Sequence, residues 1–483
     1  MNASPSNAQA PGPGPSPLAE LWTVAWPTVL TMTSFTLMQF IDALMVSAIG
    51  PTELAAQGNG GIAAFVPIAF VMGALMLTNT FVSQNLGAGR PERGVKYAWA
   101  ALWMSVIAWI TLIPYGLALP LIFNALHDER LARLETVYGQ ILLFCCVVNL
   151  SSRGLSHYFY GMHRPKVIFV ATIVGNLANI AANYALIFGK FGFPALGLTG
   201  AAWGTVFGTA IEFIIPFAVF IGPMNREFGT RRQWRLDWKP IRDLIRLGWP
   251  KSLQFGNEMV CWTILTVVLV GMFGEVHIAA GWIALRYMHL SFMPAVGLSV
   301  AVTAVVGRYI GAGDADTAAA RAGLGVRMAV LYMGACALVF VVFREELVRV
   351  FLALNPDERP GVEKMEAEVL AIGSRILICA AVFQVFDAIA ITLSGALNGA
   401  GDTVWPGVAT ICSSWVFVVG VGGALALYAP QLESLGPWIG AALFIIALSI
   451  LLAGRWRSGK WRSIKLLEPE DDPLNLDAAT GAV

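Results

Sequence analysis

The feature that most constrains this chain is a succession of long apolar runs almost free of charge. A bilayer core is about 30 Å thick, so a helix needs about twenty apolar residues to cross it. Such runs lie near residues 18–48, 54–82, 95–123, 136–158, 165–189, 195–222, 243–272, 276–306, 322–343, 367–397, 404–429 and 436–454. Turn residues separate them, as in Ile49-Gly50-Pro51, Gly87-Ala88-Gly89-Arg90-Pro91, Gly192-Phe193-Pro194, Gly311-Ala312-Gly313-Asp314 and Gly436-Pro437. Backbone amides find no water in lipid, so each spanning segment must pair its own as a helix. The pattern predicts an all-α integral membrane protein of twelve transmembrane helices. Composition excludes the soluble alternative: 57% of residues are hydrophobic and only 13% are charged, too few to cover that apolar surface. A net charge of +1 gives no basic excess for nucleic acid. The six cysteines (Cys145, Cys146, Cys261, Cys336, Cys379, Cys412) lie inside apolar runs without metal-ligand spacing, and read as buried free thiols.

Basic residues orient the bundle. Alternate loops carry Arg90, Arg93 and Lys96; Arg164 and Lys166; Arg226, Arg231, Arg232, Arg235 and Lys239; and Arg308 and Arg321. Arg455, Arg457, Lys460, Arg462 and Lys465 follow the last run, while the intervening loops are richer in acids, as in His127-Asp128-Glu129 and between Glu363 and Glu368. The positive-inside rule places the basic loops and both termini in the cytoplasm, which requires an even number of spans. The Pro-, Gly- and Ser-rich residues 1–17 read as a disordered tail. They lack a signal peptide's basic and apolar regions, so the first apolar run is expected to be retained.

The chain also repeats itself. Leu21 to Leu30 (LWTVAWPTVL) resembles Leu244 to Leu253 (LIRLGWPKSL). At nearly the same offset, Ala55-Ala56 answers Ala279-Ala280, and Gly87-Ala88-Gly89 answers Gly311-Ala312-Gly313. Gly161 and Val170-Ala171-Thr172-Ile173 answer Gly399 and Val408-Ala409-Thr410-Ile411, at an offset enlarged by a longer loop around Asn355 to Glu366. Two six-helix units of equal orientation follow, related by a pseudo-two-fold axis along the membrane normal. The predicted division is a tail (1–17), an N-lobe (18–222), a cytoplasmic linker (223–242), a C-lobe (243–456) and a cytoplasmic tail (457–483). A cleft between such lobes suits alternating access, although architecture alone does not establish transport.

Ionisable groups inside spans are costly and are candidates for function. Asp42 sits in the first segment with Gln39 one turn before it, and Glu258 sits in the seventh with Gln254 four residues before it. Asp387 lies in the tenth on a polar stripe with Gln384, Ser394 and Asn398. Such carboxylates either bind Na⁺ with neighbouring oxygens or carry a proton. Glu212 in the sixth segment has no polar stripe around it, and Arg286 and Arg375 read as partners for acids or helix-end anchors. Asn176, Asn179 and Asn183 share one face of the fifth segment and must face the bundle, as helix-to-helix glue or as a site. Gly200-Ala201-Ala202 opens the sixth segment with small residues that admit a neighbouring helix, and Thr205 follows one turn later. Phe35, Met38, Trp203, Phe255 and Met259 read as packing or lipid contacts, with a drug cleft as the alternative.

Several segments together resemble the multidrug and toxic compound extrusion (MATE) transporters. They are Ser83-Gln84 through Gly87-Ala88-Gly89; Asn179-Ile180-Ala181-Ala182-Asn183-Tyr184-Ala185-Leu186-Ile187-Phe188-Gly189; Gly200-Ala201-Ala202; and Gln384 through Asp387 with Gly395-Ala396-Leu397-Asn398-Gly399-Ala400-Gly401-Asp402-Thr403. The resemblance implies an exporter of amphipathic, often cationic organic compounds, driven by inward H⁺ or Na⁺, with no cofactor and no enzymatic activity. It further implies a monomer in contact with membrane lipids in a bacterial inner membrane. The family's first-helix carboxylate falls on Asp42 within Phe40-Ile41-Asp42-Ala43-Leu44-Met45-Val46. Its fifth-helix pair falls on Asn179 and Asn183, with Thr205 as companion. The C-lobe acids of the NorM-like branch fall on Glu258 and Asp387. The cavity-lining set is then Gln39, Asn179, Asn183, Thr205, Gln254, Phe383 and Gln384. Two positions depart from the pattern: Asn183 stands where archaeal members carry Asp, and Phe383 where NorM-like members often carry a cation-binding Tyr. The loss of that phenol oxygen favours H⁺. A flippase for lipid-linked precursors shares the layout but calls for a strongly basic cleft. A polytopic transferase calls for clustered acids or a His/Asp metal set, whereas Asp471-Asp472 lie in the tail and the histidines are scattered.

Overall fold

The computed structural model describes residues 16–223, 228–354 and 362–467. The predicted N-terminal tail through residue 15, Arg226 of the linker, most of the loop around Asn355 to Glu366, and the C-terminal tail beyond 467 with Asp471-Asp472 lie outside the described residues. Among the described residues, eleven helices are long and apolar enough to cross a membrane, and a bent pair supplies a twelfth crossing. In chain order they are α1 (Pro17–Ser47), α2 (Pro51–Gly87), α3 (Pro91–Leu126), the bent α4 (Glu129–Phe144 and Cys146–Gly161), α5 (Pro165–Phe188) and α6 (Leu198–Ile221). The second half comprises α7 (Trp238–Phe273), α8 (Glu275–Gly311), α9 (Ala315–Val342), α10 (Val362–Ala400), α11 (Val404–Tyr428) and α12 (Leu435–Arg457). A short amphipathic helix, Arg344–Leu354, precedes α10.

Proline at the first helical position starts α1, α2, α3 and α5, where its missing N–H costs nothing. Four helices end alike at the end of the bundle that carries Arg90, Arg164 and Arg308, called the basic end below. The backbone N–H of Arg90, Arg164, Asp314 and Asp402 reaches back to the carbonyls of Asn85, Phe159, Tyr309 and Leu397, at 2.8–2.9 Å. This closure needs one residue in the left-handed region, and glycine fills it at Gly89, Gly313 and Gly401. The fourth turn uses His163, at φ 55°, despite its Cβ.

The sequence reading ran a single span through 136–158, but this crossing begins at Glu129 and bends by 47° at Cys145. The bend frees the carbonyl of Phe144, which accepts from the Trp109 indole at 2.7 Å. Wide π-type turns also interrupt α7 at Ile264–Leu269 and α11 at Ser414–Val421, features that apolar periodicity does not reveal.

The two halves meet along α1, α2, α7 and α8, and their contacts come in pairs that obey the repeat. Gly73 of α2 lies against Ser252 of α7, where an added Cβ would stand 2.5 Å from the Ser252 Cα. Its counterpart Gly297 of α8 lies against Val29 of α1 at 2.7 Å by the same measure. Gly87 abuts Arg308, and Gly311 abuts Gln84, the same contact with its partners exchanged. Polar crossings join the same seam: Asn79 Nδ2 to Val300 O (3.1 Å), Thr80 Oγ1 to Asn398 O (2.9 Å), Gln84 Nε2 to Gly399 O (2.9 Å) and His163 Nε2 to Ala304 O (3.1 Å). Among the described residues, every side-chain hydrogen bond between the six-helix units falls in the half of the bundle nearer the basic end. The units are thus sealed by backbone-close packing at one end. Gly297→Val should disrupt that packing at a cost of about 1–3 kcal/mol, detectable as a lower Tm of the detergent-purified protein. An unchanged Tm would show that the seam yields freely.

Candidate functional site

The site in the first unit is built by a glycine stripe. Gly200, Gly204 and Gly208 recur every fourth residue on α6 and face α5, against Leu186, Asn183 and Asn179 respectively. Side chains there would hold α5 away; glycine lets its asparagine face approach the backbone of α6. Asn183 is fully buried, and its Nδ2 donates to Asp42 Oδ1 at 2.6 Å and to Asn179 Oδ1 at 3.0 Å. Tyr138 of α4 completes the cluster: it is buried, with its hydroxyl near the side chains of Gln57, Thr205 and Asp42. Thr205 in turn donates to Ala201 O at 3.0 Å.

The structure therefore joins Asp42, Asn179, Asn183 and Thr205, and adds Tyr138 and Gln57, which the sequence reading missed. Gln39 does not join them; it is exposed, one turn along α1. Asn176 serves as glue, donating to Ser34 Oγ (2.7 Å) and Ser34 O (3.2 Å) on α1. Nearer the basic end, Glu212 lies near the Thr172 side chain and Arg153, whose guanidinium lies 4.8 Å from the Phe35 ring. Glu212 thus has a charged partner that its own helix could not disclose.

In the second unit, Lys251 Nζ donates to Gln254 Oε1 at 3.1 Å, and Gln254 Nε2 donates to Glu258 Oε1 at 3.0 Å. The three residues form a ladder of single turns up α7. Asp387 of α10 lies close enough to Glu258 for the two acids to interact electrostatically. Gln384, one turn before Asp387, donates to Ser291 Oγ at 2.7 Å, and Phe383 is buried in the hydrophobic core of this half. Lys251 is the principal addition to the predicted set. Its signal lay in the repeat, where Thr28 after Trp26-Pro27 is answered by Lys251 after Trp249-Pro250.

Both clusters suit a small cation or a proton. Each holds a carboxylate together with a buried amide oxygen that lacks a hydrogen-bond partner, Asn183 Oδ1 in one and Gln384 Oε1 in the other. An unmatched buried acceptor is costly, and a bound proton or cation relieves it. Hard oxygen donors of this kind match Na⁺ as well as H⁺. The clusters lie on opposite sides of the seam.

The MatE family profile matches residues 27–185 and 258–422, one stretch in each repeat. The chain is 30% identical over 464 residues to the multidrug resistance protein PmpM of Pseudomonas aeruginosa, covering 93% of each protein. It is 29% identical over 447 residues to a probable multidrug resistance protein NorM of Mesorhizobium japonicum, covering 90% of this chain and 92% of that one. Among solved structures, a MATE protein in complex with MaL6 superposes with a TM-score of 0.82 at 21% identity, covering 93% of this chain and 98% of that one. A multidrug resistance MATE family transporter of the MOP superfamily in an outward-facing conformation gives 0.81 at 20%, covering 93% and 97%. A family profile spanning both repeats and relatives matched along nearly their whole length leave one assignment: the chain belongs to the MatE family of multi-pass membrane proteins.

Proposed function

We propose that the protein is a secondary antiporter that exports amphipathic, cationic organic compounds in exchange for H⁺ or Na⁺ by alternating access. The observation that carries this reading is the placement of acids in both units, Asp42 on one side and Glu258 with Asp387 on the other, beside a seam that, among the described residues, is packed closely from the basic end towards mid-helix. The names of the multidrug resistance relatives support the substrate class. The basic end is cytoplasmic by the positive-inside rule, with both termini on that side of a bacterial inner membrane. Residues 18–222 and 243–456 then act as the two lobes, joined by the linker 223–242. The protein works as a monomer among membrane lipids, without a cofactor and without enzymatic chemistry.

In this reading the cytoplasmically sealed state loads its cation from outside. Neutralising Asp42 or the Glu258/Asp387 pair removes the negative charge that holds a cationic substrate, and substrate leaves outward. Rocking of the lobes opens the basic end, the cation departs, and substrate reloads. Linkage then requires cation and substrate to weaken each other's binding by the same factor. Among the described residues, the C-lobe cluster sets two acids, Glu258 and Asp387, against Lys251, which disfavours a flippase for anionic lipid-linked precursors.

The test is dye efflux in inverted vesicles, with ΔpH and ΔNa⁺ imposed separately. Efflux driven by one gradient and abolished by its collapse is the expected result. Efflux indifferent to both would overturn the antiport reading.

A further inference from the structure

Two charged crossings at the basic end stand in the same repeat relation as the glycine contacts. Glu20 at the start of α1 accepts from Arg321 Nε of α9 at 2.7 Å and from the Tyr309 hydroxyl of α8 at 2.7 Å. Asp243 near the start of α7 accepts from the Tyr97 hydroxyl of α3 at 3.1 Å. The offset that takes Leu21 to Leu244 takes Glu20 to Asp243, and the offset that takes Gly87 to Gly311 takes Tyr97 to Arg321. In each copy, an acid on the unit's first helix reaches across to the third helix of the other unit.

The copies differ in strength. The Glu20–Arg321 pair is largely shielded, with side chains 14% and 16% exposed, and the Arg321 guanidinium also lies 5.5 Å from the Tyr309 ring. The acid thus receives two donors, one of them cationic. Asp243 receives a neutral phenol whose ring stacks on Phe81 at 4.4 Å. Asn85, the counterpart of Tyr309, turns back to Phe81 O on its own helix at 2.8 Å and adds nothing to the second crossing. Both acceptors are carboxylates, so both crossings are charge-assisted; the first is the stronger because it sets a cation as well as a phenol against its acid.

We propose that Glu20–Arg321 and Asp243–Tyr97 are a duplicated, unequal clasp that holds the basic end shut, with the Glu20 half setting how often it opens. These are positioning residues: they touch neither cation nor substrate, and they act on the equilibrium between the sealed state and the state open at the basic end. The proposal rests on the alternating-access reading. Among the described residues, the rest of the seam is backbone packing and neutral hydrogen bonds; the clasps supply its carboxylate contacts, and both must part when the lobes separate. Tyr97 is the position where the first copy's solution can be transplanted, since Tyr97→Arg sets a cation opposite Asp243 as Arg321 is set opposite Glu20.

The test uses the full chain in nanodiscs, with the six native cysteines replaced and spin labels at Glu92→Cys and Ala312→Cys. Both positions are exposed, one on each side of the seam at the basic end. Without a substrate or gradient, Glu20→Gln should raise the population with a long label distance roughly tenfold, the scale of one shielded charged hydrogen bond. The exchange Glu20→Arg with Arg321→Glu should bring it back towards the parent, and Tyr97→Arg should lower it. If Glu20→Gln leaves the distribution unchanged, or if the exchanged pair stays as open as the single variant, the clasp is wrong. The parent protein titrated with H⁺ and Na⁺ separates the two readings. A long distance that appears on titration while Glu20→Gln has no effect removes the clasp and keeps alternating access; no long distance under any condition removes both.

Discussion

Asp42→Asn should cut efflux about a hundredfold while leaving the fold intact. The oxygen of the new amide can still accept from Asn183 Nδ2, which now meets Asp42 Oδ1 at 2.6 Å, so the contact with α5 survives. What disappears is a group able to alternate between negative and neutral inside a membrane-spanning helix, the property for which intramembrane carboxylates are kept. Asp42→Ala differs in kind. It strips Asn183 of an acceptor in a fully buried position and should cost about 1–3 kcal/mol of stability in addition to activity. Dye efflux and Tm measured on both variants separate the two effects. An Asp42→Asn protein that still pumps at the parental rate would remove the N-lobe acid from the coupling mechanism.

Lys251→Met should make the C-lobe hold its coupling cation at least tenfold more tightly. The lysine stands two turns from Glu258, linked through Gln254, and in its charged form it attracts the Glu258 carboxylate. Methionine keeps much of the aliphatic stem but removes the charge. Two acids with no cation nearby then gain more from binding H⁺ or Na⁺, since charges a few ångströms apart in protein interact by a few kcal/mol at most effective dielectrics. The variant should release substrate at a lower external cation concentration and reload it more slowly, because the cation leaves late. The measurement is the cation concentration for half-maximal substrate release, compared with the parent and with Glu258→Gln. An unchanged midpoint in Lys251→Met would show that the ladder on α7 is merely structural.

The helical spans were legible, and the repeat and the intramembrane acids stood out as candidates, because each leaves a one-dimensional mark. A span is a run of apolar residues, a repeat is a pair of matching strings, and an intramembrane acid is conspicuous among its neighbours. The pairing of Asp42 with Asn183 followed from the family resemblance, and the stripe Gly200, Gly204, Gly208 supplies its physical basis. Tyr138 and Lys251 were missed for different reasons. Tyr138 lies on a helix whose bend at Cys145 re-aims the first part of α4, so periodicity alone could not say what it faces. Lys251 was read as one letter in the Trp-Pro repeat, although a lysine replacing the threonine of the other copy is a charge placed inside a span. Helical spacing places Gln39 close to Asp42 on α1, yet spacing gives the face of a helix and not its neighbour, and Gln39 remains outside the cluster. The seam was invisible for the same reason. Gly73 and Gly297 look like any other intramembrane glycines until the opposing backbones of Ser252 and Val29 are set against them.

The duplication thus does more than double the helix count. It supplies a symmetric seal near one end of the bundle, with matched glycines and matched acids, while the two halves diverge where the carboxylates sit. One half surrounds Asp42 with asparagines and a tyrosine; the other sets Glu258 and Asp387 near a lysine.

The central claim is that cation and substrate compete through these carboxylates, and it is tested most directly by substrate-induced ion release. Purified protein in weakly buffered detergent solution is titrated with a cationic dye, while a pH indicator and a Na⁺ electrode follow the medium. Dye binding should release H⁺ or Na⁺, and raising that ion should weaken dye binding by the factor with which the dye weakens the ion. The release should disappear in a protein carrying Asp42→Asn, Glu258→Gln and Asp387→Asn together. Dye binding that releases neither ion, and whose affinity is the same at every pH and Na⁺ concentration, would contradict the account.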